Sequence, residues 1–325
     1  MKNILTPILC IYMNCLFAQQ TPQYSMSILD PYAINPAYAG MENTLVATGI
    51  YRQQWTGLKG GPISQHVDAH LPIFAINSGV GIRFDNDAIG AHTATAVMIN
   101  YSYQVELNRT SVLSFGVGGG YLQYVLDGTK LRAPDGTYSE PNGTFTHNDD
   151  LLPEGKWQSA APTFESGICL KTKKMLVGLS AQPIFVPTLK DNNGGRFGLQ
   201  LKQSILLHAQ YMAYSGDLLQ LRPSILVKND IIETQIDISI LARWRENTFA
   251  AVSYRGYSSN SKDAAVLMGG FKLNERTTLA YAYDIPLSAL NAANRGSHEL
   301  LIQYNLNRPI GAGKLPPIIY NPRFF

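Results

Sequence analysis

The chain has 325 residues, of which 45% are hydrophobic, 10% aromatic and only 15% charged. Soluble domains typically carry roughly 25% charged residues, so the composition disfavours an ordinary cytosolic enzyme. The 26 Lys and Arg residues nearly balance the 23 Asp and Glu residues. The resulting net charge of +3 is too small and too scattered for a nucleic-acid surface.

The first residues have the pattern of a secretory leader. A basic start at Lys2 precedes an apolar stretch from Ile4 to Ala18, and we expect residues 1–18 to be a signal peptide. Beyond this leader no run of about 18 apolar residues exists, which excludes a helical membrane span. A closed β-barrel is the other structure that pairs every backbone group in lipid, and it leaves no hydropathy peak.

Alternation with a period of two residues recurs through the rest of the chain. Within residues 233–244, polar side chains occupy one face and apolar side chains the other, with Leu241 as the exception on the polar face. Residues 216–228 repeat the pattern, with Leu226 as the exception. Each window therefore predicts a strand with one polar and one apolar face.

Windows of this kind predict about fourteen strands. The predicted strands start near Asn43, Pro62, Asn77, Ala94, Thr110, Ala161, Lys174, Gln203, Asp217, Ile231, Thr248, Asp263, Thr277 and Ser297. Short links, such as residues 108–109 and 172–173, alternate with longer ones, such as residues 126–160 and 184–202. Outer-membrane barrels show this alternation, with tight periplasmic turns and longer outer loops, and an even strand number places both chain ends in the periplasm.

The sequence therefore predicts an all-β fold, a transmembrane antiparallel β-barrel of about fourteen strands over residues 43–306. Residues 19–42 and 307–325 lack the alternation and are rich in proline, which forbids regular ladders. We expect both to be extended segments that lie across the periplasmic mouth or enter the lumen. Aromatic residues near strand ends fit two interfacial girdles, and these are Trp55, Tyr103, Trp157, Trp244, Tyr281 and Tyr283.

Charged residues of both signs fall within the predicted strands. They are Arg52, Arg83, Arg222, Lys228, Arg243 and Arg255, with Asp68, Glu106, Glu233, Asp237 and Glu299. If they point inward, they meet in a lumen of low dielectric, where unpaired charge is costly and pairing is expected. The sequence leaves open whether this lumen is cross-braced and closed or is a selective pore.

The string His66-Val67-Asp68-Ala69-His70 is the most enzyme-like motif of the chain. On a strand its two histidines lie roughly 13 Å apart, too far for one metal ion. Asp68 with either histidine would make the acid–base dyad of a barrel hydrolase, whereas the plainer interpretation is lumen-facing polar side chains. We therefore predict no catalytic residue and no metal site.

Two glycine-rich strings superficially resemble phosphate-binding loops. Gly79-Val80-Gly81 and Gly116-Val117-Gly118-Gly119-Gly120 fit neither G-x-G-x-x-G nor a P-loop, and no helical pattern follows either one. Glycines within strands more often mark bends or close packing. We predict no cofactor.

Short motifs recur in order along nearly the whole chain after the leader. They include Gln23-Tyr24-Ser25, Asn35-Pro36-Ala37-Tyr38-Ala39-Gly40, Arg52-Gln53-Gln54-Trp55-Thr56-Gly57-Leu58, Gln235-Ile236-Asp237, Ser253-Tyr254-Arg255, Tyr281-Ala282-Tyr283-Asp284 and Ser297-His298-Glu299-Leu300. In these motifs the chain resembles the PorP/SprF family of type IX secretion outer-membrane proteins.

The resemblance implies an outer-membrane barrel of gliding Gram-negative bacteria and their relatives. Family members help to secrete, or hold at the cell surface, adhesins and other cargo with a C-terminal secretion domain, and one member contacts the periplasmic ring of the secretion machine. The expected partners are such a cargo protein, outer-membrane lipid and periplasmic secretion-ring lipoproteins. A general diffusion porin or nutrient transporter is the alternative.

Aromatic residues in the two longest loops are candidate partner-binding anchors. They are Tyr138, Phe145, Trp157 and Phe185. Aromatic side chains commonly dominate such contacts, and a rigid barrel rim would support the loops that carry them. We expect all four to be exposed.

Overall fold

The computed structural model describes residues 23–139, 144–149, 152–184, 188–190, 198–200, 202–230, 233–245, 247–257, 261–288 and 294–309. The signal peptide predicted at residues 1–18 lies outside the described residues, as do Phe185 and most of the predicted C-terminal segment 307–325. No helix in the described part of the chain is long and apolar enough to cross a membrane.

Fourteen antiparallel strands close into a barrel, which confirms the predicted fold class. They are β1 (Val46–Gln53), β2 (Ile63–Ile73), β3 (Ser78–Ile89), β4 (His92–Asn108), β5 (Ser111–Asp127), β6 (Lys156–Thr172), β7 (Met175–Gln182), β8 (Ser204–Tyr211), β9 (Leu219–Asn229), β10 (Thr234–Trp244), β11 (Thr248–Tyr257), β12 (Ser261–Lys272), β13 (Thr277–Pro286) and β14 (Ser297–Asn305). Each strand pairs with its neighbours in sequence, and β1 pairs with β14 to close the barrel.

Five shorter strands accompany the barrel. Tyr214–Ser215 follows β8 and pairs with the beginning of β9. Thr137–Ser139 pairs with Thr144–Thr146 in the link after β5, and Thr188–Lys190 pairs with Gly198–Gln200 in the link after β7. The two longest links therefore each contain a hairpin of their own.

The predicted strand starts fall within five residues of the observed ones. The largest difference is in β6, which starts at Lys156 rather than near Ala161, because its pairing with β5 continues to the end of β5 at Asp127. Tight links gather at one end of the barrel, the short-turn end, and the longer links gather at the other, the long-loop end. The exceptions are the links of residues 90–91, 230–233 and 258–260, which have two to four residues and lie at the long-loop end, and the link of residues 212–218, which has seven and lies at the short-turn end.

Inward and outward side chains alternate along the strands as the sequence predicts. In β10, Gln235 is buried, whereas Ile238 on the opposite face is 52% exposed and would face lipid. Tyr103 and Trp244 also face outward near the short-turn end, as expected of girdle residues. Trp157 is buried, so its assignment to a girdle is wrong.

Two of the charges predicted to face the lumen lie outside it. Glu106 is exposed because the hairpin of β4 and β5 extends past β3, whose first residue, Ser78, pairs with Tyr103. Glu233 is exposed because it precedes β10 in the link from β9. Both errors arise because the alternation does not define where a strand enters or leaves the barrel wall.

Residues 23–45, which we call the plug, fill the lumen. An extended conformation was the expectation for this segment, but it folds into consecutive turns with a 3-10 helix at Pro36–Tyr38. The Asn35 side chain caps this helix by accepting a hydrogen bond from the Ala37 N–H at 2.9 Å. A fourteen-stranded wall encloses more space than its own side chains fill, and the compact plug occupies that space.

The apolar core lies inside the barrel, between the plug and the wall. Met26 and Ile28 of the plug pack in one cluster with Leu241 of β10. Ile34 packs in another with Leu226 of β9. Leu241 and Leu226 are the two apolar exceptions on otherwise polar strand faces, and contact with the plug explains both.

Candidate functional site

The plug runs the length of the lumen. Gly40 lies against Gly79 at the short-turn end. Ser25 reaches Arg52 near the end of β1 and Glu299 near the start of β14, both close to the long-loop end. The N-terminal end of the plug therefore points towards the long loops.

Five charged residues of the wall form what we call the upper charge network. Arg52 donates to Asp284 at 2.6 Å and to Glu299 at 2.8 Å. Arg255 donates to Asp284 at 3.0 Å and to Asp237 at 3.1 Å. The two arginines, Asp284 and Glu299 are each at most 3% exposed, so these ion pairs are shielded from water. The predicted pairing of lumen charges is confirmed at these residues.

The plug completes the upper charge network at Ser25. Its hydroxyl donates to Asp284 Oδ1 at 2.8 Å and accepts from the two arginines at 2.9 and 3.0 Å. The Glu299 carboxylate accepts the backbone N–H groups of Ser25 and Met26, each at 2.8 Å. Because buried ion pairs are stable only when their remaining donors and acceptors are satisfied, the plug and the wall support each other here.

The members of this network come from separate motifs that carry the family resemblance. Ser25 closes the first motif, and Asp284 closes another that lies 259 positions further along the chain. Sequence analysis missed both residues, because no local pattern places the plug inside the lumen. The signal that could have identified Ser25 and Asp284 is that each of them ends one of the short motifs that carry the family resemblance.

A second polar cluster holds the middle of the plug. Arg83 donates to Glu165 at 2.7 Å and to the carbonyl of Ala33 at 3.3 Å. The Tyr32 hydroxyl donates to Asn100 at 2.8 Å, and Asn100 donates in turn to Glu165. Burial raises the pKa of Tyr32 above its ordinary value, so its hydroxyl keeps its proton and remains a donor.

Glycines in the strands make room for the part of the plug that lies towards the short-turn end. A Cβ at Gly79 or Gly116 would overlap the plug backbone. Nearby, the Asn35 amide donates to the carbonyl of Ile168 at 3.1 Å and lies 3.2 Å from His208 Nε2. The two glycine-rich strings therefore serve close packing, as the sequence predicts.

The structure separates the two histidines of the string at residues 66–70. His66 Nε2 lies 2.7 Å from Asp68 Oδ2, whereas His70 accepts a hydrogen bond from a plug N–H at 3.1 Å. His66 also lies 3.7 Å from Asp30 of the plug. Burial, followed by the charge of Asp68, raises the pKa of Asp30 well above its ordinary value. The plug covers this group, so a dyad of His66 and Asp68 faces the plug rather than an open cleft.

The link after β5 forms a compact unit at the long-loop end. The rings of Tyr138 and Phe145 meet edge to face at 5.3 Å, and Arg132 lies over the Tyr138 ring at 4.6 Å. The Tyr138 hydroxyl lies 2.8 Å from His147 Nδ1, and His147 Nε2 lies 3.0 Å from the Gly128 carbonyl. Since a carbonyl only accepts, Nε2 carries the proton and Nδ1 accepts from Tyr138.

The four candidate anchors do not share one environment. Tyr138 and Phe145 are half-buried on the compact loop. Trp157 is buried against Leu126 and Leu189, so the expectation that it is exposed is wrong. The reason is the earlier start of β6, which makes Trp157 an inward-facing strand residue. Phe185 lies outside the described residues.

A cavity of about 280 Å³ lies between the plug and the long-loop end of the wall. Tyr24 and Ile34 of the plug line it, together with Ile89, Leu122 and Tyr124 of the wall. The charged side chains of Arg83, Asp85, Asp87, Glu165, Lys202 and Lys228 also line it, so the cavity combines apolar surface with ionic groups. The cavity therefore offers a recess beside the loop that carries Tyr138 and Phe145.

A closed barrel with an apolar outer face and a lumen filled by its own N-terminal segment defines the class, an integral outer-membrane β-barrel with an internal plug. The sequence model of one family, described as type IX secretion system membrane protein PorP/SprF, matches residues 16–304. The chain belongs to this family. Among curated proteins, none matches the sequence of this chain.

Solved outer-membrane barrels share the architecture. The toluene transporter TbuX of Ralstonia pickettii is 10% identical with a TM-score of 0.50, over 86% of this chain and 92% of TbuX. The toluene transporter TodX of Pseudomonas putida is 8% identical with a TM-score of 0.47, over 89% of this chain and 95% of TodX. At this level of identity, the likeness to TbuX shows the fold alone.

Family and fold together place the chain in the outer membrane. They are those of a secretion-system membrane barrel and not of a known enzyme family. Short turns of such barrels face the periplasm and the longer loops face outward. By this rule the cavity and the N-terminal end of the plug lie on the outer side. The expectation that both chain ends lie in the periplasm therefore fits the start of β1 and the end of β14, but not the N-terminal end of the plug.

Proposed function

We propose that this protein supports the secretion or surface attachment of an exported partner, an adhesin-type cargo protein with a C-terminal secretion domain, by binding it at the outer mouth of the barrel. The observation that carries the proposal is the plug. It fills the lumen of a secretion-system barrel, and this arrangement suits a fixed binding platform better than a channel.

The contacts of the plug argue against an open pore. Met26, Tyr32 and Asn35 are all 0% exposed, although they lie in the lumen of a wide barrel. The charges that would tune the selectivity of a pore are instead paired with one another and with Ser25. A diffusion porin or nutrient transporter remains the alternative function, and conductance separates the two.

The outer mouth supplies features suited to a protein partner. The loop with Tyr138 and Phe145 is held by hydrogen bonds, so little conformational freedom is lost on binding. The neighbouring cavity, which has both apolar and charged lining residues, would accept a side chain or a chain end of the cargo. At the opposite end, the hairpin of β4 and β5 projects with Leu107 54% exposed, and it is our candidate contact for periplasmic secretion-ring lipoproteins.

Replacing both Tyr138 and Phe145 by Ala tests the proposed contact. We expect the cargo to appear in the medium rather than on the cells, because aromatic anchors of an interface each contribute about 2 kcal/mol or more. Cargo on washed cells and in the medium is measured by immunoblotting. Tyr214→Ala, which removes a 54% exposed tyrosine at the short-turn end, is the control. Normal surface retention in the double variant would count against the anchors.

The porin alternative has its own signature. Normal cargo display in a deletion strain, combined with stable conductance of the purified protein in planar bilayers, would favour it over the binding proposal.

A further inference from the structure

Three buried side chains join the plug to the barrel wall at β2. Asp30 of the plug, His66 and Asp68 place potential ligand atoms within 4.8 Å of one another. His66 Nε2 lies 2.7 Å from Asp68 Oδ2 and 3.7 Å from Asp30 Oδ2. All three residues are at most 2% exposed. The geometry is that of a small polar chamber sealed by the plug.

Two oxygens of this chamber have no hydrogen-bond donor among the described residues. They are Asp30 Oδ2 and Asp68 Oδ1. A buried carboxylate oxygen without a partner is costly, so each of these two oxygens calls for a proton or a cation beside it. Asp30 Oδ2 lies close to His66 Nε2, so a cation between them would satisfy an oxygen that the protein leaves open.

His66 already has the outer contact that metal-binding histidines typically have. Its Nδ1 lies 2.7 Å from Asp85 Oδ1, and Arg83 Nε donates to Asp85 Oδ2 at 3.0 Å. The carboxylate holds the proton on Nδ1 and orients the ring. Without a metal, Nε2 donates its proton to Asp68 Oδ2 at 2.7 Å, and a metal ion that displaces this proton would bind the Nε2 lone pair between Asp68 and Asp30.

The charge around the chamber favours a cation. His66 contacts three carboxylates, those of Asp30, Asp68 and Asp85. Among the described residues, an arginine, Arg83, pairs with Asp85 alone of these three. Arg83 is in turn shared with Glu165 at 2.7 Å. Even without counting Asp30, the carboxylates of Asp68, Asp85 and Glu165 outnumber Arg83 and a protonated His66, and a divalent cation would offset this excess of negative charge.

We propose that Asp30, His66 and Asp68 bind one zinc ion, which ties the plug to the wall. One imidazole nitrogen with two carboxylates is a ligand set that zinc accepts, whereas calcium and magnesium prefer oxygen ligands alone. The second oxygen of Asp68, or a water molecule, completes the four ligands. Zinc takes the position of the proton on His66 Nε2, and that proton leaves to solvent.

This site differs from the one that the sequence analysis rejected. His66 and His70 are too far apart along β2 to share an ion, and His70 has a different partner in the plug. The ligand that sequence analysis could not find is Asp30, because the plug has no periodic pattern that would place it beside His66. The proposal does not depend on the identity of the exported partner.

The test is the zinc content of the full-length protein, purified in detergent through a histidine-free tag. After treatment with EDTA, incubation with zinc and desalting, mass spectrometry should find about one zinc per chain. Asp30→Asn, Asp68→Asn and His66→Gln should each lower this at least about tenfold. His298→Gln removes a histidine on the outward face of β14 and should bind zinc normally. Heat-dependent mobility on gels verifies that every variant is folded.

A second readout uses thermal unfolding. Zinc should raise the unfolding temperature of the native protein and of His298→Gln, because a ligand that binds only the folded state stabilises it. It should leave that of Asp30→Asn unchanged.

Four outcomes overturn the proposal. One is a folded native protein that binds no zinc, and another is equal binding by Asp30→Asn. The third is a preference for calcium or magnesium over zinc. The fourth is stabilisation of the protein by Asp30→Asn with and without zinc, which is the result expected if a proton shared by Asp30 and Asp68 takes the place of the metal.

Discussion

Single side chains decide whether the lumen stays closed. Arg52 and Arg255 lie where water is excluded, and each pairs with two carboxylates. Removing one member of a buried ion pair leaves its partner charged and uncompensated, which costs more than the intact pair contributes. The upper charge network therefore makes the barrel sensitive to substitution at positions far from any loop.

Arg52→Met should destabilise the folded barrel by about 3–5 kcal/mol, since Asp284 and Glu299 then lose a buried cation. Denaturant unfolding in detergent micelles measures this difference. Arg109→Met removes an exposed arginine from the turn between β4 and β5 and should change stability little. Equal effects of the two substitutions would mean that the network does not stabilise the barrel.

Gly116→Ala should loosen the plug, because the new Cβ would overlap the plug backbone at Ala37. Overpacking of this kind typically costs about 1–3 kcal/mol. Faster protease cleavage within residues 23–45 is the expected result. Gly269→Ala is the control, since a Cβ there meets open space. An intact plug in Gly116→Ala would show that the glycine is not needed for close approach.

Strands and loops differ in how far the sequence predicts them. The period-two alternation predicts all fourteen strands within five residues, because one face of each strand meets lipid and the other a polar lumen. The plug has no such periodicity, and its place depends on distant partners, as in the bond from the Ser25 N–H to Glu299 across 274 positions. Trp157 was misplaced because β6 starts five residues earlier than predicted, which makes Trp157 an inward-facing strand residue.

The loop after β5 should lose its fixed shape in His147→Ala. His147 is 0% exposed and bridges Tyr138 to the Gly128 carbonyl, and leaving buried partners unsatisfied costs about 1–3 kcal/mol. We expect faster protease cleavage within residues 128–155, with normal heat-dependent mobility of the barrel. His298→Ala, on the outward face of β14, is the control. Unchanged cleavage would show that other contacts hold the loop.

The complete barrel combines a lipid-facing wall with a lumen closed by its own N-terminal segment. Plug and wall share three buried polar clusters and an apolar core, so they form one folded unit rather than a pore with a loosely held segment inside. The family assignment places the protein in the outer membrane. The plug supports the proposal that the protein binds an exported partner rather than letting solutes diffuse through its lumen. Binding at the outer mouth, rather than diffusion, requires that the lumen is closed in the membrane.

Planar-bilayer conductance tests that claim most directly, with the intact protein compared with a variant lacking residues 23–42. The intact protein should show no stable conductance steps, whereas the deletion variant, folded by the criterion of heat-dependent mobility, should open a steady pore. Gly116→Ala should show intermittent opening. Stable conductance of the intact protein, equal to that of the deletion variant, would contradict the account.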